Sequence, residues 1–196
     1  MADLETLGRA MGFAFAAGIN LYATVAVIGL ASRFGWVQLP PQFDAFNHDW
    51  VIAAALALYV IEFVADKVPW VDSAWDAVHT AIRPIGGAVI AVASLGEASP
   101  ALEGLIALAG GTLAAGTHLT KAGTRAAVNT SPEPFSNWLL SFGEDAFVLG
   151  LGFLVLKYPL VALTIVVVLT VLIAVFLATV VRWARRRWRR SRVPAG

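Results

Sequence analysis

LVALTIVVVLTVLIAVFLATVV, residues 160–181, runs directly into RWARRRWRR, residues 182–190. The first segment carries no charge and exceeds the roughly 20 apolar residues that a bilayer-spanning helix needs. Arginine and tryptophan directly behind such a run mark a cytoplasmic membrane border, where anionic lipid attracts the cations and the indoles sit at headgroup level. The tail is therefore expected on the cytoplasmic side. Arg185, Arg186, Arg187, Arg189 and Arg190 are its lipid-binding candidates, and no nucleic-acid partner is expected. Seven of the fourteen basic residues lie in residues 182–192, so the rest of the chain carries thirteen acidic residues against seven basic ones.

The whole chain repeats this character. Of its 196 residues 59% are hydrophobic and 14% charged, against about 25% charged in soluble domains. A soluble fold of this length could not hide that apolar surface, so a multi-pass protein of a bacterial cytoplasmic membrane is expected. There is no cysteine, which excludes disulfides, thiolate metal sites and cysteine nucleophiles. The acidic start, Met1-Ala2-Asp3-Leu4-Glu5, is unlike a cleaved secretory signal, and no cofactor motif is present.

Apolar runs predict six spans, near residues 7–34, 50–68, 84–95, 101–128, 135–156 and 160–181. Six passes would put both termini in the cytoplasm. Between the second and third runs, Val71, Ala74, Trp75, Val78 and Ile82 recur at helical spacing. That pattern predicts a short interfacial helix over Val71–Arg83, ended by Pro84.

Six spans invite a search for a three-plus-three repeat. Ala16-Ala17-Gly18-Ile19-Asn20-Leu21 matches Ala114-Ala115-Gly116-Thr117-His118-Leu119 as A-A-G-x-x-L, half a chain apart. Acidic residues recur likewise: Glu62 and Asp66 in the second span, Glu144 and Asp145 in the fifth. The expectation is an all-α polytopic bundle of two inverted three-helix repeats, residues 1–97 and 98–182, followed by the tail, 183–196. Inverted repeats are a common plan of secondary transporters, whose sites lie where the copies meet.

The functional information lies in residues that violate the apolar rule. Each carboxylate at mid-membrane costs about 2.5–3.5 kcal/mol, so Glu62, Glu144 and Asp145 together would cost on the order of 8–10 kcal/mol if ionised and unpaired. They must be paired, protonated, hydrated or holding a cation. His118, Lys121 and Arg125 form one stripe at i, i+3 and i+7 and could neutralise them as a purely structural ion network. Equally, the polar groups could line a pathway, with Asn20, Glu62, Asp66, His118, Lys121, Arg125, Glu144 and Asp145 as its residues. If a cation binds, Glu62 and Glu144 would hold it. The interruption Gly18-Ile19-Asn20 could unwind the first span and expose backbone carbonyls.

Three blocks resemble a known group: Gly18-Ile19-Asn20-Leu21-Tyr22-Ala23-Thr24; Glu62-Phe63-Val64-Ala65-Asp66-Lys67-Val68-Pro69; and Lys121-Ala122-Gly123-Thr124-Arg125-Ala126-Ala127-Val128-Asn129-Thr130-Ser131-Pro132-Glu133-Pro134. They look like the small bacterial membrane family catalogued as domain of unknown function 4126. The resemblance implies fold and location, and no activity. More loosely, the Glu-x-x-x-Asp-Lys block is similar to small cation exchangers, although their tighter Glu-x-Gly-Asp-Lys spacing is missing.

The leading expectation is a transporter or channel for an ion or small solute. A membrane enzyme on a lipid or polyprenyl phosphate is the second, with Lys121, Arg125 and His118 on the phosphate and Glu133 or Asp76 as acid or base. A non-catalytic assembly subunit is the third. A homo-oligomer would help so small a bundle enclose a pathway.

Overall fold

The computed structural model describes residues 4–130 and 135–191, without the side chains of residues 180, 184 and 186–191. Arg186, Arg187, Arg189, Arg190 and the candidate acid Glu133 thus lie outside the described residues. Everything regular among the described residues is helical: α1 (Leu4–Ile19), α2 (Leu21–Arg33), a 3-10 turn (Pro41–Asn47), α3 (Asp49–Ala65), α4 (Pro69–Ala93), α5 (Pro100–Val128), α6 (Phe135–Lys157) and α7 (Pro159–Ser191). The breaks follow local chemistry. Proline opens α4, α5 and α7, where its missing N–H has no helical partner to lose, and Ser99 caps α5 by accepting from the Leu102 N–H. Two helices, α6 and α7, are long and apolar enough to cross a membrane; the 3-10 turn and α3, meeting at 65°, make a third candidate. The outer face of α7 is a sheath of exposed Val161, Val168, Val171, Leu172, Val175 and Phe176, as expected of a surface in contact with lipid.

The first predicted span is not one helix. Asn20, in extended conformation at φ −146° and ψ 100°, separates α1 from α2, and the chain turns back there. Phe13 of α1 packs on Phe43 at 6.0 Å, and Phe43 packs on Phe46 at 5.8 Å. A Cβ on Gly29 of α2 would meet the Phe46 carbonyl. Collinear helices would hold residues 13 and 29 roughly 24 Å apart at 1.5 Å per residue, too far to share this short turn. Along α6, Gly12 lies against Val155, Asn20 against Asp145 and Val27 against Gly152. The two helices are the arms of a V, both opening toward the α6–α7 turn, with Asn20 at the tip.

This geometry also corrects the count of six passes. Gly8 abuts the Pro159 carbonyl, so α1 starts at the end of the bundle from which α7 departs. Thirty-three residues of α7 then extend about 50 Å to the opposite end. Leu4 and Ser191 lie at opposite ends, where six passes would have placed them together.

The interfacial helix is corrected as well. Residues 71–83 belong to α4, which runs unbroken through Pro84. Its burial is the reverse of a soluble amphipathic helix: Asp72, Asp76, His79 and Arg83 are buried, while Trp70, Val78 and Ile85 are exposed. When the outer solvent is hydrocarbon, the polar stripe turns inward, because polar groups unsatisfied in lipid cost several kcal/mol each, by roughly the usual burial penalties.

The two A-A-G-x-x-L motifs touch but are not inverted. A Cβ on Gly18 would stand 2.5 Å from the Ala114 carbonyl oxygen, and one on Gly110 would lie 3.5 Å from Ala14. Leu7 and Leu102 pack on the same small cluster of Ala10, Ala14, Ala91 and Ile106. Early residues of α1 thus meet early residues of α5, and late meet late: the helices run parallel. An in-plane twofold would make them antiparallel. Glycine and alanine at this contact let the two backbones approach closely.

Candidate functional site

The tip of the V is the natural starting point. The turn at Asn20 strips α1 of its last helical acceptors' partners, and two cations from other helices supply replacements. Arg83 Nη1 donates to the Gly18 carbonyl at 3.3 Å, and Lys121 Nζ to the Ile19 carbonyl at 3.2 Å. Both satisfy the orphaned acceptors and match the negative end of the α1 dipole. On the other arm, Asn20 Oδ1 accepts from the Ala23 N–H at 2.9 Å and caps α2. Its amide Nδ2 donates to Asp145 Oδ1 at 3.3 Å, so the carboxylate of α6 stands at the positive end of α2.

A chain of buried ion pairs runs from this tip toward the α3–α4 turn. Arg83 Nη2 meets Glu62 Oε1 at 2.7 Å, with both side chains fully buried. Lys121 Nζ lies 3.2 Å from the same oxygen, 3.4 Å from Asp66 Oδ2 and 3.7 Å from Glu144 Oε2. Arg125 Nη2 closes the chain on Asp66 at 2.8 Å and on Glu144 at 2.6 Å. Its Nη1 donates to Asn137 Oδ1 at 2.8 Å and to the Asp66 carbonyl at 3.1 Å. Asn137 Nδ2 donates to that carbonyl too, at 3.0 Å. Asp66 ends α3, and this pair of donors replaces the helical partners lost there. Beyond it, Asn129 Nδ2 donates to Asp72 at 2.8 Å. Lys67 leaves the row, donating to Ser141 Oγ at 2.6 Å and lying 3.5 Å over the Phe63 ring.

Two histidines flank the row, and their partners fix their tautomers. Arg83 Nη1 can only donate, so His118 Nδ1, 2.9 Å away, accepts. His118 Nε2 then carries the proton toward the Asp76 carbonyl at 3.1 Å. His79 Nδ1 donates to the Trp75 carbonyl at 2.7 Å, leaving Nε2 to accept from the Tyr22 hydroxyl at 2.8 Å. With one accepting and one donating nitrogen, His118 is the neutral imidazole.

A sequence model of the family described as a domain of unknown function, DUF4126, matches residues 7–179. That stretch includes every helix that contributes to the ion row. The chain belongs to this family. No curated protein and no solved structure matches it. The chemistry of this family member must accordingly be read from its own geometry.

All eight polar residues singled out in the sequence meet here: Asn20, Glu62, Asp66, His118, Lys121, Arg125, Glu144 and Asp145. Glu62 and Glu144 do not form a pocket for a metal ion. The cation between them is Lys121, and among the described residues no group of three or more His, Asp or Glu side chains is arranged to hold a metal. His118 is fully buried, with its Nδ1 against Arg83. Sequence reasoning missed Arg83 as a member of the site, together with His79 and Tyr22, and named Asp76 only as an acid or base of the enzyme reading. Asp72, Asp76, His79 and Arg83 recur at i, i+4, i+7 and i+11, the same stripe spacing that drew attention to α5, so the signal was present.

The charges do not balance. Among the described residues Glu62, Asp66, Asp72, Asp76 and Asp145 are buried and Glu144 is nearly so, against fully charged Arg83, Lys121 and Arg125 and partly buried Lys67. Asp145 forms no ion pair among the described residues, and its Oδ2 is buried without a hydrogen-bond partner. Asp76 reaches only a 3.5 Å contact with Arg83. Buried carboxylates that outnumber their cations must exchange protons or attract cations.

Proposed function

We propose that this protein is a secondary transporter of the bacterial cytoplasmic membrane, moving an ion or small solute past the tip of the α1–α2 hairpin. The observation that carries this reading is the helix broken at Asn20 in the middle of the bundle, with charged side chains gathered at both exposed helix ends. Secondary transporters place substrate and coupling-ion sites at such interrupted helices, where half-helix dipoles and free carbonyls converge. Asp145 is the coupling carboxylate in this scheme. It is buried, faces the start of α2 and lacks a cation partner among the described residues, so a proton or transported cation can neutralise it. Glu62, Asp66, Lys121, Arg125 and Glu144 form the charged wall that holds the site open to charge, and Asn20 links the hairpin tip to Asp145.

In the membrane, α3 to α7 cross five times and α1–α2 enters and leaves as a re-entrant hairpin. The tail is cytoplasmic, with Arg185 and its neighbours against anionic lipid, and the start of α1 is on the outer side.

Proteoliposomes loaded with a pH-sensitive dye test the proposal. Under an imposed potassium diffusion potential, the wild-type protein is expected to carry protons or alkali cations faster than protein-free vesicles, and Asp145→Asn is expected to abolish that flux. Equal flux in wild-type and Asp145→Asn vesicles removes Asp145 from the mechanism, and no flux above background at either polarity removes the transporter reading.

A further inference from the structure

The ion row has one side that is not sealed by protein. Between α7 and the α5–α6 pair lie three adjoining cavities, all walled in part by Phe15 and Ile173. The largest, about 660 Å³, lies along α5 and α7 and is lined by Leu105, Leu108, Val166 and Leu177 among others. A second, of about 610 Å³, lies toward the α5–α6 turn, between Leu139, Leu140 and Leu169. A small one of about 190 Å³ joins them, and there the walls turn polar: Thr117, Thr120, Lys121, Thr124 and Glu144. The two larger volumes fall in the range of about 300–1,000 Å³ typical of small-molecule sites. Glu144 is the most exposed acid of the ion row, at 14% of its side chain.

The polar junction has a definite polarity. Thr117 spends its hydroxyl proton on the Leu113 carbonyl at 2.7 Å, Thr120 on Gly116 at 2.8 Å, and Thr124 on Thr120 at 2.9 Å. Each therefore presents only oxygen lone pairs to the cavity. Lys121 directs its ammonium at Ile19, Glu62, Asp66 and Glu144. Glu144 engages Arg125 through Oε2, and Oε1 takes part in none of these bonds. The junction thus offers acceptors and a carboxylate with no spare donor. A phosphate or carboxylate group would meet Glu144 and oxygen lone pairs; an ammonium group would be solvated by them.

We infer that the crevice behind α7 binds lipophilic ammonium compounds, with the hydrocarbon part in the two larger cavities and the cationic head at Glu144, Thr117, Thr120 and Thr124. This deepens the transporter reading and rests on it only for the purpose of the site: it names the substrate class as an amphipathic cation entering sideways from the lipid. Zwitterionic phospholipids are disfavoured as occupants, because their phosphate would lie beside Glu144.

Binding of radiolabelled dodecyltrimethylammonium to the full chain in phosphatidylcholine nanodiscs tests the inference, with empty discs as background. Saturable binding is expected, displaced by unlabelled dodecylammonium and at least tenfold less well by dodecanoate. Glu144→Gln is expected to weaken it about tenfold or more. Because that change also removes one of the two carboxylates paired with Arg125, Gly116→Phe serves as the second variant. A Cβ on Gly116 would meet nothing within 4 Å, and a phenyl ring there would project into the largest cavity, which Gly116 lines, while leaving the ion row intact. It too is expected to weaken binding at least tenfold. Equal displacement by dodecanoate, binding no greater than in empty discs, or wild-type affinity in Gly116→Phe would overturn the inference. Proton or alkali-cation flux that persists without saturable ammonium binding overturns the crevice alone and leaves the transporter reading standing.

Discussion

Replacing Arg83 with methionine removes the charge at the centre of the site while keeping an unbranched, apolar side chain of comparable length. Arg83 and Glu62 are 2.7 Å apart with both side chains at 0% exposure. Deleting one member of such a pair costs about 3–5 kcal/mol, because the other charge stays buried without its partner. Lys121 still reaches Glu62 at 3.2 Å and softens that loss. Against this, the Gly18 carbonyl loses its donor at the helix break, which costs about 1–3 kcal/mol for a buried acceptor. The net expectation is about 3–5 kcal/mol. At roughly 2–4 °C per kcal/mol for a chain of this size, the apparent Tm should fall by about 6–20 °C. The double variant Arg83→Met/Glu62→Gln removes both charges, so it should be more stable than the sum of the two single changes by about 2 kcal/mol or more. The measurement is thermal unfolding in one detergent, followed by tryptophan fluorescence. A drop below about 2 °C in Arg83→Met, or strict additivity in the double variant, would refute the claim that this pair is a buried, mutually dependent charge pair.

Three further outcomes follow from the same geometry. Asn20→Ala removes the cap of α2 and should cost about 0.5–2 kcal/mol, with amide hydrogen exchange accelerated at residues 21–24 and unchanged exchange there counting against the cap. Gly18→Ala should destabilise by about 1–3 kcal/mol through overpacking against Ala114 and Thr117, whereas Gly116→Ala, at the matching place in the other motif, should be neutral or stabilising by up to about 1 kcal/mol; equal shifts in Tm would mean that the close approach of α1 and α5 is wrong. Single cysteines are clean reporters of sidedness, since the chain has none of its own. An impermeant maleimide added to intact cells should label Glu5→Cys and Glu97→Cys but reach Thr130→Cys only after permeabilisation, and protection of Glu5→Cys until permeabilisation, as for Thr130→Cys, would restore a cytoplasmic N-terminus.

Membrane character and the span of α7 were readable because they depend on local hydropathy, and α7 meets the bundle along one edge only. The α5 stripe His118, Lys121 and Arg125 was readable for a similar reason: three charged or polar groups on one face of an apolar helix must find partners. The hairpin was not readable. Residues 7–34 have the length and hydropathy of one pass, and a single asparagine decides otherwise. What stabilises the turn comes from far along the chain, with Arg83 lying 65 residues from Gly18 and Lys121 lying 102 from Ile19.

The misreading of α4 has a more general cause. Periodicity shows that a helix has two faces and does not show which one is buried. The apolar face of Val71, Val78 and Ile82 would be the inner face in water, and in lipid it is the outer one. The choice between them turns on where Arg83 belongs: at a membrane border it would be solvated, but between Glu62, His118 and the Gly18 carbonyl it is fully matched. A guanidinium with a carboxylate, an imidazole nitrogen and a freed carbonyl around it gains charge-assisted bonds on all sides, and these bonds hold α1, α3, α4 and α5 at one point. That convergence explains why α4 continues through Pro84: the helix is fixed by its polar stripe on one side of the proline and by Gly87 and Ala91 packed on α1 and α5 on the other. It also explains why the two A-A-G-x-x-L motifs match without inversion, since both meet one requirement, small side chains where α1 and α5 must come close enough for Arg83 and Lys121 to reach the broken helix end.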